Sequence, residues 1–182
     1  PVPLTALVTD RDRATEALDT IVPVYERVFA EPPYHEGPDD VSGFVDGYRQ
    51  EAQQDGFRLA LAHDDSGQPA GFAYGYPLQP TTRWWHGFLN ADLADAFTRE
   101  DGHRTFVIKE LAVLPEHRRT GTARSLHTGL LHGLTAERAT LAVVPEAEPA
   151  VRLYAALGYT SVGLCRPWAD APLFDVMVLP LR

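Results

Sequence analysis

Thr105 to Leu134 reads TFVIKELAVLPEHRRTGTARSLHTGLLHGL, and three local patterns follow one another in it. An apolar run, interrupted only by Lys109-Glu110, ends at Pro115. A short basic turn follows, Arg118-Arg119-Thr120-Gly121-Thr122-Ala123. Beyond it Leu126, Leu130, Leu131 and Leu134 recur at helical spacing. The layout is a strand, a tight turn and a helix. Backbone N–H groups that converge at a helix N-terminus make an anion site of phosphate size. Gly121 permits a backbone conformation closed to other residues and a close approach to such an anion. Ala123 keeps the first helical turn small, while Thr120, Thr122 and Ser125 offer hydroxyl donors. Arg118, Arg119 and Arg124 supply positive charge in an otherwise acidic chain. The competing reading is a plain strand–turn–helix whose arginines are solvated surface.

Outward from this stretch the chain alternates strands and helices. Leu4 to Val8 reads as a strand, and Asp10 to Asp12 can cap a helix over about residues 13–30, interrupted or kinked at Pro23. A second helix starts at Asp39 or Asp40 with Val41, Phe44, Val45 and Tyr48 on one face. Phe57 to Ala62 and Ala70 to Tyr76 are strands joined through Asp64-Asp65-Ser66-Gly67. Residues 77–104 break the alternation and predict a helix with Leu89, Leu93 and Phe97 on one face. Later come a strand at Arg138–Val143, a helix from Pro149 to a Gly158 cap, and strands near 159–166 and 173–179. This order predicts an α/β or α+β fold, a sheet with helices on both faces. No linker or repeat is evident, so the expectation is a single domain over residues 1–182.

The net charge of −9 argues against general nucleic-acid binding and favours a cationic partner. With Cys165 the sole cysteine, no disulfide framework is possible. His103, His117, His127 and His132 lack metal-ligand spacing, and no metal is expected. Neither a signal pattern nor a run of membrane-spanning length is present, so a cytoplasmic protein without membrane attachment is the expectation.

The R-x-x-G-x-A spacing, set after Glu110-Leu111-Ala112-Val113-x-Pro115 and before an amphipathic helix, resembles the acyl-CoA-binding signature of the GNAT superfamily of N-acetyltransferases. Residues 147–159 strengthen the resemblance. Ala150, Leu153, Tyr154, Gly158 and Tyr159 match a second GNAT motif, whose asparagine position holds Ala147 here. The matched segments cover about residues 105–163. The resemblance implies a mixed, mostly antiparallel sheet and acetyl-CoA as co-substrate. It implies that the backbone of Leu111, Ala112 and Val113 pairs with the pantetheine arm, and that Arg118, Arg119, Thr120, Gly121, Thr122, Ala123 and Arg124 hold the pyrophosphate. GNAT proteins are often dimers, so it also implies a homodimer, for which the apolar final strands are available.

Acetyl transfer to an amine needs a base for the nucleophile and an acid for the leaving thiolate. By resemblance Tyr154 is the acid, and a phenol's ordinary pKa near 10 keeps its proton available. Its position on an apolar helical stripe is equally that of a core residue. Glu110 is the candidate base, because a carboxylate inside an apolar strand is costly without a task or a partner. A structural ion pair is the alternative. Tyr34, Trp84 and Trp85 are candidates to line the pocket for a small amine acceptor, or else they anchor loops on the core. Glu36, Asp39 and Asp40 would make that mouth acidic, or merely cap a helix. The expected activity is N-acetyl transfer. The alternative from another class is a non-catalytic acyl-CoA-binding module.

Overall fold

Along β2 (Arg58–His63, RLALAH) and β3 (Pro69–Pro77, PAGFAYGYP), large and small side chains alternate, and this alternation sets up two different faces. Leu59, Leu61, Phe72 and Tyr74 join one apolar core. On the opposite face, the position of a Cβ at Gly71 would lie 3.2 Å from the Leu126 side chain, so small residues there let a helix approach closely. The computed structural model describes residues 3–182. The remaining elements are β1 (Leu4–Val8), α1 (Arg11–Glu16), α2 (Leu18–Phe29), α3 (Pro38–Glu51), α4 (Asp95–Thr98), β4 (Thr105–Val113), α5 (Thr122–Leu131), β5 (Arg138–Val143), α6 (Glu148–Ala156), β6 (Thr160–Cys165) and β7 (Phe174–Pro180). The hydrogen-bonded order of the 7 strands is β1-β2-β3-β4-β5-β7-β6. Every pairing described is antiparallel except β4 with β5, which is the expected mixed sheet.

The chain clusters into two compact units, and β4 has residues in both. The first unit runs up to Tyr76 and takes up Ile108–Leu134. Its core is built from Ile21, Val24, Tyr25 and Phe29 of α2, Phe44 and Tyr48 of α3, and the inward residues of β2 and β3. Tyr25 and Phe44 stack at 3.8 Å between ring centroids. On the other sheet face α5 buries Leu126 and Leu130. Its position is fixed from both ends: Leu4 N–H donates to Ser125 Oγ at 2.8 Å, and Arg58 donates to the carbonyls of Leu130 and His132 at 3.2 and 2.7 Å.

The second unit comprises Pro77–Val107 and Thr135–Arg182. In it Thr105, Phe106 and Val107 pair in parallel with Arg138, Ala139 and Thr140. A buried polar cluster lies among these strands. Arg138 donates to Glu100 Oε1 at 2.9 Å and to Thr105 Oγ1 at 2.7 Å, and its guanidinium lies over the rings of Trp85 and Phe97.

Two expectations from sequence need correction. The helix over 13–30 is two helices, divided at Ala17 instead of at Pro23. Pro23 stays inside α2, because Ile21, Val24 and Tyr25 are buried on either side of it and offset the backbone bond it cannot donate. The helix carrying Leu89, Leu93 and Phe97 reduces to the four residues of α4. Leu89 instead donates its N–H to Leu164 at 2.8 Å and is 62% exposed. Beside it Gly87, at φ 81°, lets Arg166 donate to its carbonyl at 2.9 Å. Edge pairing with β6 overrode the helical spacing.

Candidate active site

The basic turn takes its shape from two left-handed residues, Arg119 at φ 60° and Gly121 at φ 90°. Gly121 sits at the N-terminus of α5, and no side chain caps that terminus. The first N–H groups of α5 therefore lack intrahelical partners and face outward with the positive end of the helix dipole. Arg119 and Arg124 are exposed and form no ion pair among the described residues. Arg118 behaves differently. Its Nε donates to the Val113 carbonyl at 3.1 Å and its Nη1 to Glu31 at 2.7 Å. It clasps the turn to the end of β4, and its charge is already paired. Thr120 donates to the His117 carbonyl at 2.6 Å and lies 2.8 Å from the Thr122 hydroxyl, so the hydroxyls brace the loop. The arrangement fits an anion such as a pyrophosphate, held chiefly by backbone N–H groups. Leu111 is half-buried, while Ala112 and Val113 are buried at the end of β4.

Glu110 lies one residue before that segment, and the chain surrounds it with tyrosines and carboxylates. Burial pushes its carboxyl from the ordinary 4.5 up to about 8; Lys109 pulls it down, while Glu36 and Glu51 add to the rise. Among the described residues its carboxyl forms no hydrogen bond or ion pair. Its charge in turn acts on Tyr25, Tyr34 and Tyr74, whose hydroxyls are all pushed upward, chiefly by burial. Tyr25 donates to Glu36 at 2.6 Å. Glu36 is itself pushed up by burial, against the Tyr25 bond and with the help of Asp40. Glu51, at the end of α3, accepts from Tyr74 at 2.7 Å and Tyr76 at 3.1 Å and pairs with Lys109 at 3.4 Å. Tyr34 is half-buried and sets its ring edge-on to Phe29 at 4.9 Å.

Sequence reasoning singled out Glu110, Tyr34 and Glu36 but missed Glu51, Tyr25, Tyr74 and Tyr76. One signal was available: Tyr74 and Tyr76 alternate along β3 and so share a face. Nothing in the sequence says that the end of α3 meets that face.

The other candidates belong to the second unit. Tyr154 is buried on α6, with its ring edge-on to Tyr159 at 5.7 Å. Gly158, at φ 97°, ends that helix, and Ala147 opens it without a side-chain cap. Trp84 is half-buried and donates its indole N–H to Thr140 at 3.1 Å. Trp85 is buried, donates to Glu100 at 2.8 Å and carries Arg138 on its face. Both the N–H and the face of Trp85 are thus engaged internally, the geometry of a loop anchor. Cys165 is buried and donates to the His86 carbonyl.

The sequence profile of the Acetyltransferase (GNAT) family matches residues 18–159, running through both units. The chain belongs to the GNAT acetyltransferase family. Membership makes it an acetyltransferase with acetyl-CoA as the co-substrate. Solved structures agree in fold. A phosphinothricin acetyltransferase of Sinorhizobium meliloti, in complex with AcCoA, aligns over 97% of this chain and 88% of its own, at 18% identity and TM-score 0.63. The yncA protein of Salmonella typhimurium, a putative acetyltransferase with its cofactor acetyl-CoA, aligns over 97% and 94%, at 14% identity and TM-score 0.61. Nourseothricin acetyltransferase is 24% identical over 69% of this chain and 66% of its own, at TM-score 0.51. No curated protein matches the chain. Among the described residues no helix is long and apolar enough to cross a membrane.

Proposed function

We propose that this acetyltransferase moves the acetyl group directly to a primary amine of a small, cationic acceptor, with Glu110 as the base. The observation that carries the reading is the state of Glu110: a carboxyl with no donor among the described residues, pushed up to about 8 by burial and by the further carboxylates that act on it. A base whose pKa lies near the working pH takes a proton readily and releases it again. The acceptor's ammonium gives up one proton to Glu110. The freed nitrogen lone pair attacks the thioester carbonyl carbon, the C–S bond breaks, the thiolate takes a proton, and the nitrogen releases its second proton to solvent to leave the neutral amide. Tyr154 is assigned that last proton on its motif position and its resemblance to GNAT acids. Backbone N–H groups from Arg119 to Arg124 would hold the pyrophosphate, with the exposed Arg119 and Arg124 adding charge. Glu36, Asp40 and Glu51 favour a positively charged acceptor over a neutral one. Tyr34 would contact it as well.

A CoA-release assay against a chemically varied panel of small amines tests this reading. Release above background with at least one amine is expected. No release with any amine would favour a module that binds acyl-CoA without turning it over. Tyr154→Phe sharpens the test. Turnover should fall by about a hundredfold or more for a lost general acid. Acetyl-CoA at 100 times its Kd should still add about 2.7 kcal/mol of stability to the variant. Undiminished turnover would remove Tyr154 from the mechanism.

A further inference from the structure

We propose that Glu51 is a positioning residue for the base: by drawing the Lys109 ammonium and the Tyr74 and Tyr76 hydroxyls onto its own carboxylate, it keeps these donors off Glu110, which is left free to take the acceptor's proton. The inference rests on the reading of Glu110 as the base. Its ground is geometric. Lys109 and Glu110 are neighbours on β4, and the Lys109 charge acts on the Glu110 carboxyl. Here Lys109 turns instead to Glu51, at 3.4 Å, on a different element. Tyr74, whose ring stands in the field of Glu110, likewise spends its hydroxyl on Glu51 at 2.7 Å. Tyr76 completes the set at 3.1 Å.

Among the described residues no side chain donates to the Glu110 carboxyl. The charged and titratable groups that act on it are Lys109 on its own strand, Glu51 from α3 and Glu36 from the loop before α3. It acts on Tyr25 of α2, Tyr34 of the same loop and Tyr74 of β3. Of these groups only Lys109 favours the ionised form. Where its ammonium sits therefore decides how readily Glu110 holds a proton. A carboxylate with a close cation is a weaker base, and an ammonium lodged on it would also occupy the place of the acceptor's nitrogen.

Glutamine at position 51 keeps the size of the side chain and can still accept from the tyrosines, but it carries no charge to hold Lys109. The Glu110 titration is read by carbon NMR of side-chain carboxyls in the full chain, the signal being assigned by its loss in Glu110→Gln. In Glu51→Gln the midpoint should fall by about one pH unit or more, because a cation arrives and a like charge leaves. Turnover of the best amine from the panel should fall about tenfold with it. Lys109→Met should move the midpoint upward. In the double variant Glu51→Gln/Lys109→Met, the midpoint should return toward that of the wild type and recover most of the lost turnover. A merely structural Glu51 would lower the melting temperature, leave the Glu110 midpoint in place and gain nothing from the second substitution. That outcome overturns the proposal. Should Glu51→Gln fail to fold, an unmoved midpoint in Lys109→Met overturns it equally. If Glu110→Gln keeps full turnover, the base reading itself fails, and the two failures are thereby told apart.

Discussion

Glu110→Gln should lower turnover of an amine acceptor by about a hundredfold or more, the usual worth of a positioned general base. It should also remove the rise of kcat/KM with pH that a base near 8 imposes. The same substitution has a signature in stability. The carboxyl of Glu110 is raised by burial from 4.5 to about 8 in the folded chain. A group raised in this way favours folding while it is protonated in both states. That contribution is complete below about pH 4.5 and is lost progressively as pH rises through about 8. Above that range the folded chain holds a half-buried carboxylate, at a cost on the order of 1.4 kcal/mol for every tenfold by which burial weakens the acid. Glutamine carries no such cost. The variant should therefore be more stable than the wild type at pH 9 by a few kcal/mol, with the difference shrinking toward pH 5. Urea denaturation across this range reads it directly. A constant difference at all pH values would show that Glu110 does not titrate with a raised pKa, and would take away its fitness as a base.

The shape of the basic turn was legible because it is local. A strand, the R-x-x-G-x-A turn and an amphipathic helix are consecutive in the chain, and the φ of 90° at Gly121 is what the glycine was read to permit. The role of Arg118 was not legible in the same way, since its partner Glu31 is 87 residues away. The group around Glu110 is assembled from α2, the loop after it, α3, β3 and β4, and no local pattern records which side chains meet. Alternation along β4 predicts that Lys109 and Glu110 point to opposite faces, yet both interact with Glu51. The 89–97 helix is lost because edge pairing with the distant β6 outweighed local spacing.

Arg138→Met should cost about 3–5 kcal/mol of stability, the penalty of leaving one member of a buried ion pair behind. Arg138 and Glu100 have side chains only 8% and 0% exposed. Oε1 of Glu100 accepts from Trp85, Thr105 and Arg138 at 2.8, 2.7 and 2.9 Å, whereas Oε2 is buried with no partner. With Arg138 gone, that carboxylate keeps two neutral donors and no cation, and the rings of Trp85 and Phe97 lose the guanidinium they enclose. The unpartnered Oε2 has a further consequence. Half of the carboxylate's desolvation cost is met by nothing, so the pair as a whole is an expensive way to fill this volume. Replacing both partners, Arg138→Met with Glu100→Leu, should therefore restore most of the stability that the single change removes, and can exceed the wild type. Urea midpoints of the two single variants and the double variant give the coupling. A single Arg138→Met variant within about 1 kcal/mol of the wild type would mean that the pair is solvated in solution. A double variant no better than the worse single one would mean that the cluster's hydrogen bonds to Thr105 and Phe97, not its charges, hold β4 and β5 in register.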